Sequence, residues 1–96
     1  MKELTILSDL FEATQQRRID FLHTDMELLS TFVDLAKTER EIGSLDATNR
    51  LLEKAQAGYS TVLRLLTLVE NAEERDKLAS KFAELRAKLD SEAAQL

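Results

Sequence analysis

The sequence predicts an all-α protein, an elongated three-helix bundle with a long first helix and antiparallel second and third helices. Three observations predict this fold. The 96-residue chain contains no proline and only two glycines, so little in it interrupts a helix. Apolar residues recur at spacings of three and four along most of the chain, which is the periodicity of an amphipathic helix. Hydrophobic residues make up 44% and charged residues 32%, the balance of a folded helical protein rather than of a disordered one.

Helix one is expected over about residues 4–42, because no glycine or proline stops the pattern before Gly43. A continuous helix is favoured. The alternative is a break at Thr24, where Glu27 three residues later completes a capping box, so that residues 4–22 fold back as a fourth helix. The strongly amphipathic part of helix one contains Phe21, Leu22, Met26, Leu28, Leu29, Phe32, Val33, Leu35, Ala36 and Ile42.

A tight turn is predicted at Gly43-Ser44, followed by helix two over about residues 45–69. Gly43 can take the left-handed conformation that ends a helix, and the Ser44 side chain can cap the next one, with Asp46 favourable in its first turn. Helix two has two neighbouring apolar faces, which predicts that it is the central helix. One face has Leu51, Ala55, Gly58, Val62 and Leu65, and the other has Leu45, Leu52, Tyr59, Leu63 and Leu66.

Helix three is predicted over about residues 72–95, within one helical domain that spans residues 1–96. Asn71 is a suitable N-cap, and Glu74 three residues on completes a capping box. The helix has one narrow apolar stripe at spacings of four, three, four and seven, formed by Leu78, Phe82, Leu85, Leu89 and Leu96.

The lengths of these helices lead to the main inference. At about 1.5 Å per residue, helix one would be roughly 58 Å long, against roughly 38 Å for helix two and roughly 36 Å for helix three. If helix two folds back from Gly43, its end near Val69 lies beside about residues 16–19, and the segment before them lacks cover. Exposure of its apolar side chains would forfeit roughly 1.5 to 3 kcal/mol each. We therefore expect a homodimer whose interface contains Ile6, Leu7, Leu10 and Phe11.

Composition excludes several classes of function. The chain has no cysteine and a single histidine, His23, so it holds no disulfide, no sulfur-based zinc site and no two-histidine metal site within one chain. A net charge of −5 argues against binding to nucleic acid or to anionic membranes. The first residues lack the pattern of a signal peptide, and no apolar run approaches the ~20 residues of a membrane span. We expect a cytoplasmic protein without a cofactor.

The clusters of polar residues in the sequence are only weak indications of a functional site. Asp20, His23 and Glu27 share one helical face, as metal ligands do, but they also belong to an acidic row with heptad spacing that reads as a solvated face. That row is Asp20, Glu27, Asp34 and Glu41. The one adjacent basic pair, Arg17-Arg18, is interpreted as a source of salt bridges to a neighbouring helix.

Gly58 and Tyr59 lie inside helix two, where a glycine costs about 1 kcal/mol relative to alanine. Close packing of another helix is the favoured reason for this glycine, with the Tyr59 ring in the core and its hydroxyl at the edge. A small ligand pocket at Gly58 and Tyr59 is the alternative. No catalytic partner for Tyr59 is recognisable, so an enzyme is not expected.

The segment from Phe32 to Gly43, continued from Ala47 to Ala55, resembles one tetratricopeptide hairpin. Its apolar residues are similar to the packing positions of that repeat. The resemblance covers about a quarter of the chain and one unit, whereas stacked repeats need at least about three. The same segment, with the residues up to Tyr59, is also similar to small uncharacterised helical proteins of bacteria, which implies no activity.

These observations favour a non-enzymatic cytoplasmic interaction or scaffold protein that acts as a homo-oligomer and uses its apolar surfaces for self-association and for a protein partner helix. The alternative function is a small-ligand-binding or regulatory bundle with its pocket near Tyr59.

Overall fold

The computed structural model describes residues 2–95, with side chains from residue 6 onward. Three helices run through these residues, α1 (Lys2–Glu41), α2 (Leu45–Leu66) and α3 (Ala72–Ala93). They form an elongated bundle of 63 × 19 × 16 Å, which confirms the predicted fold class. α1 continues unbroken through Thr24, so the alternative of a fourth, folded-back helix is wrong. Leu96, assigned from sequence to the stripe of helix three, lies outside the described residues.

The turn between α1 and α2 depends on Gly43, whose φ of +88° favours a residue without a Cβ. The N–H of Ser44 donates to the Glu39 carbonyl at 2.8 Å, and the N–H of Gly43 donates to the Arg40 carbonyl at 3.1 Å. This pair of bonds is a Schellman motif. The expected side-chain cap is not made: Ser44 occupies the N-cap position without a side-chain hydrogen bond. Instead, Thr48 Oγ1 donates to the Ser44 carbonyl at 2.8 Å.

α2 ends at Leu66, three residues before the position expected from its apolar pattern. Val69 continues that pattern because it is buried, with 1% of its surface exposed, although it lies in the connection to α3. Asn71 then caps α3 as expected, since its Oδ1 accepts the Glu74 N–H at 2.9 Å. Apolar spacing predicts burial correctly here, but it does not reveal where the helical backbone stops.

α1, not α2, is the central helix, because α2 and α3 each pack more extensively on α1 than on each other. The sequence-based expectation is wrong because two residues of the second apolar face of α2, Leu45 and Leu63, are exposed. α2 runs antiparallel to α1, and α3 returns parallel to α1, as the order of their cross-helix contacts shows. The core contains Ile19, Leu22, Met26, Leu29, Val33, Ala36, Leu52, Ala55, Val62, Leu66, Val69, Leu78, Phe82, Leu85 and Leu89.

Arg18 fixes the connection between α2 and α3 to the side of α1. Its Nη1 donates to the Leu68 carbonyl at 2.9 Å, and Gln15 Oε1 accepts the Glu70 N–H at 3.0 Å. The partner of Arg18 is therefore a carbonyl, not the carboxylate that the sequence analysis expected. These two bonds satisfy backbone groups at the point where α2 has ended.

Replacing Arg18 by alanine should lower the free energy of unfolding by about 1 kcal/mol, because the Leu68 carbonyl loses a charged donor. Arg17→Ala is the matched control, since Arg17 is an adjacent and exposed arginine. Its effect should stay within about 0.5 kcal/mol. Urea unfolding of the two variants measures the difference, and equal losses would show that the bond to Leu68 contributes nothing.

Candidate functional site

The body of the bundle begins near Gln15, because the connection between α2 and α3 lies beside Gln15 and Arg18. This position agrees with the register expected from the helix lengths. Residues 6–14 of α1 continue beyond it as a single helix, and we call this segment the overhang. The overhang is the end of the molecule that α2 and α3 leave uncovered.

Four large apolar side chains project from the overhang, each 55–62% exposed, namely Ile6, Leu7, Leu10 and Phe11. Spacings of three and four residues place them along one side of the helix. Scattered exposed apolar residues are ordinary on a protein surface, but a contiguous group on one helix marks an interaction site. The interface residues predicted from sequence thus form one accessible patch.

A second apolar surface runs along the rest of α1 and ends one residue beyond it, at Ile42. Its four residues are seven apart in the sequence and 46–71% exposed, and we call it the heptad face: Phe21, Leu28, Leu35 and Ile42. Sequence reasoning grouped them with the core residues of α1, because together these residues form one broad amphipathic pattern. Seven-residue spacing alone cannot separate them from the core, because the buried residues Leu22, Leu29 and Ala36 have the same spacing.

The side chains of Asp20, His23 and Glu27 do not converge on one point. Lys81 Nζ lies 3.1 Å from His23 Nδ1, and Asp20 accepts a hydrogen bond from Gln16 at 2.9 Å. Lys81 can donate only if His23 Nδ1 carries no proton. Within the described residues, no group of three carboxylates or imidazoles is placed to hold a metal ion.

An open groove of about 370 Å³ separates α1 from α3 beside His23. Its charged lining mixes two lysines, Lys81 and Lys88, with two glutamates, Glu27 and Glu84. Lys88 Nζ donates to Ser30 Oγ at 2.8 Å and forms an ion pair with Asp34, so it ties the two helices together. With balanced charges along an open channel, the groove has no preference for one sign of ligand.

Arg40 and Glu92 form a partly buried pair that the sequence analysis missed. Arg40 Nε donates to Glu92 Oε2 at 3.1 Å, and Glu92 is only 8% exposed. The pair joins the carboxyl-terminal ends of α1 and α3 across 52 positions of sequence. Local periodicity cannot reveal such a contact, because each residue reads as part of a charged helical face. The pair has a structural role at the end opposite the overhang.

Gly58 and Tyr59 pack against the two other helices. A Cβ built on Gly58 would overlap the Leu29 side chain of α1. The Tyr59 ring stacks on Phe82 with centroids 4.0 Å apart, and the Arg86 guanidinium lies 5.0 Å from the Tyr59 centroid. The ligand pocket proposed at Gly58 and Tyr59 stays a prediction, but protein side chains occupy the space on these sides.

No protein-family model, curated protein or solved structure matches this chain. Over the described residues, no helix combines the length and apolar character needed to cross a membrane. The overhang and the heptad face are the largest groups of exposed apolar side chains among the described residues.

Proposed function

We propose that this protein is a non-enzymatic interaction or scaffold protein of the cytoplasm, and that it forms a homodimer through the overhang. One observation carries the proposal: α1 extends past the end of α2 with four large apolar side chains more than half exposed. Burial of such a side chain contributes about 1.5–3 kcal/mol, so contact between two overhangs would favour association.

A symmetric pair suits the overhang because the same patch can serve both copies. In a twofold dimer, each surface contacts its own equivalent, and cyclic dimers are the most common oligomers. Two overhangs packed side by side in opposite directions would cover the Leu7 and Leu10 side chains of both copies. The bundle bodies would then lie at the two ends, away from each other.

Two features support the non-enzymatic and cytoplasmic parts of the proposal. The chain contains no cysteine, so its stability needs no oxidising compartment. The hydrogen-bond partner of His23, its one histidine and most versatile acid–base group, is Lys81 Nζ and not a serine or threonine hydroxyl. A scaffold role needs only the folded bundle and its interaction surfaces.

Replacing both Leu7 and Leu10 by aspartate should weaken self-association at least about 100-fold, because two charges then enter each half of an apolar contact. Light scattering after size exclusion measures this effect as a return to the monomer mass. Leu45→Asp is the matched control, since Leu45 is 60% exposed at the start of α2, at the end of the bundle opposite the overhang.

Circular dichroism should show that each of these variants keeps its helices, because every substituted side chain is exposed. A dimer that persists in the Leu7→Asp, Leu10→Asp variant would refute the overhang as the interface. Affinity capture from the native cell with the same variants then asks whether other proteins also require the overhang.

A further inference from the structure

The heptad face belongs to a repeat that combines charge and apolar surface. An acidic residue immediately precedes each of its four apolar residues, so the same two-residue unit recurs every seven positions: Asp20-Phe21, Glu27-Leu28, Asp34-Leu35 and Glu41-Ile42. Seven residues make just under two turns, so each row runs almost straight along α1. All eight side chains are exposed. One acidic row therefore borders one apolar row over the length of the bundle.

A row of threonines completes the surface, with Thr24, Thr31 and Thr38 each three residues after an apolar one. Thr31 Oγ1 donates to the Glu27 carbonyl at 3.0 Å, and Thr38 Oγ1 donates to the Asp34 carbonyl at 3.2 Å. Because the Thr31 and Thr38 hydroxyl donors are satisfied within α1, another helix can cover these two residues without leaving the donors unpaired. The surface has the a and d spacing that a packed helix requires.

The position of the heptad face on the bundle suits an added helix. Leu29 packs against Gly58 of α2, and Ser30 contacts Lys88 of α3. Leu28 lies about 100° round α1 from Leu29 and about 160° from Ser30. The heptad face therefore lies beside the contact of α1 with α2 and away from α3. A helix docked there would be the fourth member of the bundle.

The acidic row indicates what kind of helix would dock on the heptad face. If two copies of α1 packed through the heptad face, the acidic rows of both would border the same contact, and like charges would oppose the pairing. A helix with lysine or arginine beside its apolar residues would instead meet Asp20, Glu27 and Glu41 with opposite charge. The net charge of −5 favours the same partner.

We propose that the heptad face of α1 binds an amphipathic helix of a partner protein, one whose apolar heptad row is flanked by lysine and arginine. The inference rests on the proposed interaction role and names the partner for a surface separate from the overhang. Helix-in-groove recognition uses this arrangement, in which apolar anchors supply affinity and flanking charges select the partner.

Two synthetic helices test the proposal on the full-length protein. Each has leucine at the a and d positions of four heptads, one with lysine and the other with glutamate at e and g. Like charges keep each peptide from pairing with itself. In calorimetric titrations, the lysine peptide should bind at least about tenfold more tightly than the glutamate peptide. Equal binding of both, or no binding of either at about 1 mM, would overturn the proposal.

Two pairs of substitutions test whether the lysine peptide binds at the heptad face. Leu28→Ser with Leu35→Ser should weaken binding of the lysine peptide at least about tenfold, whereas Leu63→Ser, equally exposed on α2, should leave it unchanged. Asp20→Lys with Glu41→Lys should reduce the preference for the lysine peptide or reverse it. Equal loss in the Leu63→Ser control, or an unchanged preference after charge reversal, would overturn the assignment to the heptad face.

Sedimentation separates this inference from the proposed dimer. The Leu28→Ser, Leu35→Ser variant should self-associate like the wild type, while the Leu7→Asp, Leu10→Asp variant should be monomeric and still bind the lysine peptide. If the heptad-face substitutions abolish self-association, a second copy is the occupant and the inference is wrong. If the Leu7→Asp, Leu10→Asp variant still self-associates while the peptide-binding results are as expected, the dimer proposal fails and the partner-helix inference stands.

Discussion

Replacing Leu22 by alanine should lower the free energy of unfolding by about 2–5 kcal/mol. Leu22 lies in α1, the helix on which both others pack, and its side chain is fully buried at 0% exposure. Removal of its terminal carbons loses apolar contacts and leaves a cavity that the surrounding helices can fill only partly. The loss is a large part of the total, because small domains are stable by only about 5–15 kcal/mol.

Urea unfolding at one fixed protein concentration measures the loss, since self-association would make stability depend on concentration. Leu63→Ala is the matched control, because the same side chain is truncated at a position 49% exposed. Its cost should stay within about 0.5 kcal/mol. If both variants lose the same stability, α1 does not form the centre of the core.

The second large effect concerns the close approach of α1 and α2 at Gly58. Leu29→Ala should cost about 2–5 kcal/mol as a buried truncation. Gly58→Ala should destabilise the wild type by about 1 kcal/mol. Overpacking against Leu29 costs about 1–3 kcal/mol, and the higher helix propensity of alanine offsets about 1 kcal/mol of that cost. In the Leu29→Ala background the clash is gone, so the same Gly58→Ala change should stabilise by about 1 kcal/mol.

A double-mutant cycle reads out this change of sign directly. Ala57→Gly, at the exposed neighbouring position, measures the helix-propensity contribution alone and should cost about 1 kcal/mol. Gly58→Ala could instead stabilise the wild type as much as it stabilises the Leu29→Ala variant. In that case the Leu29 side chain moves aside without an energetic cost, and Gly58 is not required for packing. The remaining explanation for the glycine would then be the predicted ligand pocket.

Sequence alone predicts the features of this fold that depend on neighbouring residues. Gly43 ends the first helix because its backbone can adopt positive φ, and Asn71 caps the third because its side chain reaches the N–H of Glu74. Both effects act within one helical turn. The position of Val69 beside the first helix also follows from helix rise and the site of the turn, which is why the overhang could be expected.

Other features depend on long-range packing and cannot be predicted from the sequence. α1 has apolar residues on too much of its circumference for periodicity to show which row faces α2, which faces α3 and which is exposed. Leu28 and Leu29 look alike in sequence, yet one is 49% exposed and the other 3%. The Arg40–Glu92 pair likewise forms only because the ends of α1 and α3 meet in the folded bundle.

Sedimentation equilibrium of the wild-type protein across about 1–300 µM tests the dimer most directly, since this range covers micromolar association. We expect the average mass to rise with concentration from the 10.9 kDa of one chain towards twice that value. A mass of 10.9 kDa at every concentration would contradict pairing through the overhang and would leave Ile6, Leu7, Leu10 and Phe11 for another partner.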